Sequence, residues 1–255
     1  MFEFPLDGSY NARGIGDEAA PWLVRSAALD ELSTEGERAL RERGVDLVID
    51  LREASEHRTR RHSLAVRSLP LYGERPPASG TLETIYRGLI RDRAPQLTAA
   101  VIAIAEHPGT AIVHCTAGKD RTGLVVALAR LAAGEPRDDV IDDYSRSGIS
   151  VRPARRALVA EQLDALGLAA GARADAERLH LDSPAEALAA ALDVVERQGG
   201  ASAYLVRHGA RFEHLTALGR RASEAAAARA IPTASALPTA SALPARFATD
   251  PEPAR

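Results

Sequence analysis

The chain has 255 residues, 45 % apolar and 26 % charged, enough for a core in one large domain or two small ones; a net charge of -3 argues against a nucleic-acid-binding surface. No apolar run is long enough to span a membrane, so no integral membrane contact is expected. The start, Met1 to Tyr10, lacks the charged-then-apolar pattern of a secretory signal, so a cytoplasmic home is expected, with secretion by a route lacking such a signal left open.

The first half alternates strands and helices. Trp22-Leu23-Val24 reads as a short strand. Thr34-Glu35-Gly36-Glu37 has the form of a capping box, opening a helix that runs to about Arg43 and stops at Gly44. Val45 to Leu51 reads as a buried strand, Arg52 to Ser63 as a polar loop, and Val66 to Leu71 as a third strand. Helices are predicted over Leu82 to Arg91 and Pro95 to Glu106. Pro108-Gly109 then turns the chain into the strand Thr110 to Val113. The second half reads as helices: about Arg121 to Ala133, others starting near Arg137 and Pro153, and one opened by a second capping box, Ser183-Pro184-Ala185-Glu186, and closed by Gly199-Gly200.

Strands linked by helices imply an α/β fold, a central parallel or mixed sheet flanked by helices, with the helical C-terminal half packed on one side. From Pro232 the chain repeats Pro-Thr-Ala-Ser-Ala-Leu twice. A proline every six residues prevents a continuous helix, and few large apolar groups occur. The expected organisation is one domain over 1–230 and a disordered Pro/Ala/Ser-rich tail over 231–255.

Two rare residues point to chemistry. Cys115 is the sole cysteine and Lys119 the sole lysine, and they stand within five positions of each other in His114-Cys115-Thr116-Ala117-Gly118-Lys119-Asp120-Arg121-Thr122-Gly123. The string lies between an apolar strand and an apolar helix. A strand-loop-helix unit aims the helix's free N–H groups and its positive dipole end at the loop, which makes an anion site. The small residues Thr116, Ala117 and Gly118 let the backbone curl into a ring of inward N–H groups that a phosphate fits. The same field favours thiolate over thiol at the mouth of the ring. Cys115 is therefore the expected nucleophile, forming a phosphocysteine. Arg121, six positions on, has the planar fork that binds two phosphate oxygens, which lysine lacks. Thr122 can donate to the sulfur and stabilise it as leaving group. His114 is expected to hold the loop, and Thr116 to Arg121, Lys119 and Asp120 included, to line the phosphate site. No cofactor or metal is expected; His57 and His62 sit in an arginine-rich loop and read as solvated.

These residues resemble a known family. Cys-x5-Arg followed by Thr is the signature of the cysteine-based protein tyrosine phosphatase superfamily. The fuller string from His114 to Gly123 is similar to the loop of the bacterial tyrosine/serine protein phosphatases, and Lys119 within it resembles the loop of phosphatases that accept phosphoinositides. Leu23-Val24-Arg25-Ser26, Ile49-Asp50-Leu51-Arg52 with Glu56 soon after, Asp142-Asp143-Tyr144 followed by Ser147, and Gly199-Gly200 with Tyr204-Leu205 are similar to further segments of that family. Asn11, Arg13 and Gly16 match its N-terminal segment, which here lacks the aromatic and the first acid. The resemblance spans about residues 11 to 220. It implies a phosphatase acting on phosphotyrosine proteins, extending to phosphoserine and phosphothreonine, with a phosphorylated protein or a phosphoinositide as its substrate partner, and it puts Arg52 and Asp143 in supporting positions. For the proton transfers the order of preference is Asp120, the position this family is thought to use, then Asp50 at a strand end near the cleft, then Asp92 in a predicted helix. The short connection from Leu71 to Leu82 leaves no room for a long covering insertion, so an open cleft is expected. Other readings are a phosphoinositide phosphatase, a phosphate-binding module without catalysis, and a redox sensor.

Overall fold

The computed structural model describes residues 1–73, 75–77 and 80–230. Six strands form one mixed sheet: β1 (Phe2–Glu3), β2 (Arg13–Gly16), β3 (Pro21–Ser26), β4 (Val45–Asp50), β5 (Ala65–Ser68) and β6 (Thr110–His114), in the order β1-β2-β3-β6-β4-β5. β3, β6, β4 and β5 run parallel; β1 and β2 are antiparallel additions at one edge. Every residue of β6 is buried, as a central strand covered on both faces requires.

Alternation along the strands sorts the side chains by face. Val24, Val48 and Ile112 point to one side, where they pack with Leu40 of α1 (Thr34–Glu42). Leu23, Ile49, Ala111 and Val113 point to the other, into the larger core. Against that larger core lie α2 (Leu82–Asp92), α3 (Ala94–Glu106) and α4 (Asp120–Ala132). α5 (Arg137–Ser145), α8 (Ala185–Glu196), α9 (Gly200–Arg207) and α10 (Phe212–Ala230) complete it. α6 (Ser147–Leu166) and α7 (Ala170–Leu181) form a pair with a small apolar cluster of their own. α4 is buried on all sides from Arg121 to Arg130, which makes it the central helix and β6–α4 the axis of the molecule.

Several local expectations change. The first helix is capped by Ser33, whose hydroxyl accepts from the Gly36 N–H at 3.0 Å, so Thr34 is already helical and the cap lies one residue earlier. Ser183 does not cap α8. Its hydroxyl accepts from Gly148 N–H (2.6 Å) and donates to the Ser145 carbonyl (2.8 Å), tying α8 to the α5–α6 junction. Pro153 lies inside α6, not at its start, and the stretch Ala54–Glu56 within the predicted loop is a single 3-10 turn. The strand predicted to reach Leu71 ends at Ser68, and the β1–β2 hairpin was not expected because Phe2–Glu3 and Arg13–Gly16 are too short to show a period. α10 is described as far as Ala230, and the predicted tail, 231–255, lies outside the described residues.

Candidate active site

β6 delivers His114 and Cys115 to the C-terminal edge of the sheet, and α4 begins five residues after the cysteine. The loop between them is held from outside by its carbonyls. Thr116 O accepts from Ala28 N–H (3.2 Å). Asn11 Nδ2 donates to Ala117 O (3.1 Å) and Gly118 O (3.0 Å), and Arg25 Nη2 donates to Gly118 O (2.6 Å). Among the described residues the N–H groups of Thr116, Ala117, Gly118 and Lys119 donate to no protein acceptor. Because N–H and C=O of a peptide point in opposite directions, carbonyls bound outside leave amides for an anion inside. Gly118 is required here: its φ is +64°, and a Cβ would stand 2.1 Å from the Ser26 carbonyl oxygen.

The scaffold under the loop is a buried ionic cluster. Asp143 accepts from Arg13 Nε (2.7 Å) and Arg25 Nη1 (2.9 Å), with Arg130 at 3.4 Å. Ser147 accepts from Arg13 Nη2 at 2.8 Å and Arg25 Nη2 at 3.1 Å. Burial acts to raise the Asp143 carboxyl, but Arg25, Arg13 and Arg130 outweigh it and hold the carboxyl below its usual range. Burial and the neighbouring Arg25 lower the Arg13 guanidinium to about 10, against the pull of Asp143. Asn11, in left-handed backbone at φ 57°, accepts from Arg13 Nη1 at 2.7 Å. The N-terminal segment thus braces the loop even though it lacks the family's aromatic and first acid.

Arg121 is set by a residue that sequence reasoning left out of the site. Glu56 takes its Nη1 at 2.6 Å and its Nη2 at 2.7 Å, and also accepts from the Thr116 hydroxyl. Nη1 further donates to Leu51 O at 3.3 Å. Nη2 also donates to the Thr116 hydroxyl at 3.4 Å, so Nε is the Arg121 donor that no described protein group engages. Burial works against the Arg121 charge, but Glu56 more than compensates and keeps the guanidinium cationic. Burial likewise raises the Glu56 carboxyl, and Arg121 and Thr116 bring it below its ordinary value. Tyr72 stacks on the guanidinium, its ring centroid 4.9 Å from Cζ, and Glu53 pins Tyr72 by accepting its N–H at 2.7 Å. The signal for Glu56 was its match to the family segment; its role needed the fold, because 65 residues separate it from Arg121.

Cys115, Thr116, Ala117, Asp120 and Arg121 open into a cavity of about 160 Å³. Its apolar wall is Tyr72, Pro77 and Ile85; its other wall is Arg155, Leu179 and His180 from α6 and α7. Burial, with Lys119 and Arg155 nearby, pushes His180 below its ordinary value. Arg155 and His180 carried no motif and were not anticipated, and through them the α6–α7 pair flanks a cleft expected to be open.

The other anticipated residues divide. Asp120 lines the cavity, with Oδ1 accepting from Tyr86 Oη at 2.5 Å. Lys119 does not line it. Its ammonium is fully buried and donates to Leu179 O (2.7 Å) and Asp182 O (2.6 Å) at the end of α7. Asp50 is also turned away. It accepts from Arg52 N–H (3.0 Å) and Nη2 (2.9 Å), and Arg52 in turn grips Asp30 at 2.5 Å. Burial raises the Asp50 carboxyl and its bonds with Arg52 lower it by more; Asp50 does not line the cavity. His114 lies between them, Nδ1 3.2 Å from Cys115 O and Nε2 3.7 Å from Asp50; burial lowers it below its ordinary value despite Asp50, and it holds the loop as a neutral ring. The Thr122 hydroxyl is buried with no hydrogen-bond partner, so the anticipated bond to sulfur is not formed here. Asp92 lies on α2 away from the cavity. Among the described residues no group of three His, Cys, Asp or Glu is placed to hold a metal, and no helix is long and apolar enough to cross a membrane.

A family model described as "Tyrosine phosphatase family" matches residues 4–224. The chain is 29 % identical over 203 residues to the triple specificity protein phosphatase PtpB of Mycobacterium tuberculosis, covering 62 % of this chain and 73 % of that protein. It is 30 % identical over 142 residues to a tyrosine-protein phosphatase of Nostoc commune, covering 49 % of this chain and 48 % of that protein.

Proposed function

The chain belongs to the tyrosine phosphatase family and is a phosphoric monoester hydrolase, and from that premise we propose that Cys115 is its nucleophile, Arg121 its phosphate clamp and Asp120 its proton donor and acceptor. The observation that carries the assignment is the shared cavity: Cys115, Arg121 and Asp120 all line it, beside amides that no described protein group uses. Cys115 Sγ attacks phosphorus in line while Arg121 and the amides hold the equatorial oxygens. The P–O bond to the alcohol or phenol breaks, and Asp120 protonates the departing oxygen. Water then attacks the phosphocysteine, Asp120 takes its proton, and the thiolate leaves.

Tyr72, Pro77 and Ile85 suit the ring of phosphotyrosine, which supports a phosphotyrosine protein as substrate. A phosphoinositide is favoured by one separate observation: Arg155 adds positive potential on the opposite wall, and it makes no salt bridge to a carboxylate among the described residues.

Cys115→Ser is expected to abolish phosphate release from p-nitrophenyl phosphate, phosphopeptides and phosphoinositides while the loop still binds an oxyanion, and vanadate is expected to inhibit the wild type. Retained turnover in Cys115→Ser overturns the mechanism. In the same assays Arg155→Ala separates the substrates. A loss confined to phosphoinositides supports the second reading, and an equal loss on all substrates removes it.

A further inference from the structure

Asp120 does not stand alone. Tyr86 on α2 is fully buried in the largest apolar cluster, yet its hydroxyl reaches Asp120 Oδ1 at 2.5 Å. Behind it the Tyr144 hydroxyl of α5 lies 2.7 Å from the Tyr86 hydroxyl, the two rings meeting edge to face at 80° with centroids 6.0 Å apart. An ionised carboxylate only accepts, so Tyr86 spends its one proton on Asp120 and Tyr144 donates to Tyr86. The chain of donors therefore runs Tyr144 to Tyr86 to Asp120. The Lys119 ammonium also approaches Oδ1, at 3.5 Å. Oδ2 is the Asp120 oxygen to which no described protein group donates.

The packing is arranged to let this happen. Gly123, one turn along α4, faces Tyr144; a Cβ there would stand 2.8 Å from Tyr144 Cδ2 and push the ring off. Two phenols in an apolar core carry the cost of burying polar groups, which is offset only if each finds a partner. Their partners here end at Asp120, a carboxylate that lines the cavity with Cys115.

We infer that Tyr86, backed by Tyr144, is a positioning residue for the leaving-group proton: it occupies Oδ1 of Asp120 so that the transferable proton resides on Oδ2, the oxygen free to meet the substrate. The inference rests on the reading of Asp120 as proton donor. The balance is simple. In the first step the S–P bond forms, the P–O bond breaks, and the Oδ2 proton goes to the departing oxygen. In the second, water's proton returns to Oδ2 as its oxygen bonds phosphorus and the S–P bond breaks. The Tyr86 proton stays on its own oxygen throughout. Without Tyr86 the Asp120 proton is free to sit on either oxygen, and the carboxyl is free to rotate.

The test uses leaving groups, because a proton donor matters in proportion to how poorly the alcohol leaves. kcat/KM is measured on aryl phosphates of rising phenol pKa and on an alkyl phosphate, for the wild type, Asp120→Asn, Tyr86→Phe, Tyr144→Phe and the Asp120→Asn/Tyr86→Phe pair, with thermal melts alongside. Asp120→Asn is expected to lose more as the leaving group worsens. Tyr86→Phe is expected to follow the same trend, reaching a loss of about tenfold on the alkyl ester out of the 10²–10⁴ a positioned acid contributes, with little loss on p-nitrophenyl phosphate. Tyr144→Phe should show the trend in weaker form. The double variant should be no slower than Asp120→Asn. If Tyr86→Phe slows all esters by one factor, or slows none, while Asp120→Asn shows the trend, the two tyrosines are only packing and the inference is overturned. If Asp120→Asn itself shows no trend, the assignment of Asp120 fails and the inference falls with it.

Discussion

Lys119 illustrates how far one side chain's position changes an expectation. In the string from His114 to Gly123 it reads as a cation for the substrate; in the fold its Nζ closes two carbonyls at the end of α7, 2.7 and 2.6 Å away. Lys119→Met keeps the stem and removes the donors, leaving Leu179 O and Asp182 O without that partner. The expected cost is about 2 kcal/mol of stability, the scale for stranding buried acceptors. Denaturant unfolding checks it. Turnover should fall by one common factor on an aryl phosphate and on a phosphoinositide. A loss selective for the phosphoinositide would bring the ammonium back to the substrate.

At the scale of elements, α5 is joined to β2 and β3 through one carboxylate. Asp143 lies between Arg13, Arg25 and Arg130, and β3 and the segment leading into β2 carry the Arg25 and Asn11 contacts to the loop. Asp143→Asn leaves the buried Arg13 and Arg25 guanidinium groups without that counter-charge, while Arg130 keeps Glu135 at 2.6 Å. Breaking such a cluster typically costs about 3–5 kcal/mol, and phosphate affinity should weaken with it because the loop carbonyls lose their brace. The pH dependence has a definite sign. The folded-state carboxyl is held below its unfolded value, so its contribution is fully present above the ordinary carboxylate range, near pH ~4, and is lost as pH falls through the depressed folded value. Stability measured from neutral to acid pH should therefore fall steeply in the wild type and less steeply in Asp143→Asn, with Asp50, Glu56 and Glu37 among the carboxylates that carry the remaining acid sensitivity.

For the whole molecule, the β6–α4 axis carries the phosphate loop while elements distant in sequence complete the cavity: the 3-10 turn at Ala54–Glu56, Tyr72, and the α6–α7 pair. Both faces of the sheet are covered by helices from within residues 1–230. A chain truncated after residue 230 is therefore expected to melt at the same temperature and turn over a small aryl phosphate at the same rate. The repeated Pro-Thr-Ala-Ser-Ala-Leu segment offers little to bury. A melting point several degrees lower would place part of the domain beyond that boundary.

The sequence by itself determined the α/β class, the strand-loop-helix unit, and Cys115 with Arg121 at its centre. These rest on local order: an apolar run, small residues in a ring and a helix start are contiguous, so spacing alone carries them. It ranked Asp120 ahead of Asp50 through the family resemblance, not through the residues themselves. Asp50 and Asp120 are alike as residues, and only packing turns Asp50 to Arg52 and leaves Asp120 beside the cysteine. Nor did it determine Glu56, Tyr86, Arg155 or His180, which meet the loop from elsewhere in the chain with no period or spacing to announce them. Tertiary structure decided those, because a buried charge or hydroxyl takes whichever partner the fold brings within hydrogen-bond reach, and that neighbour is set by how helices and strands pack.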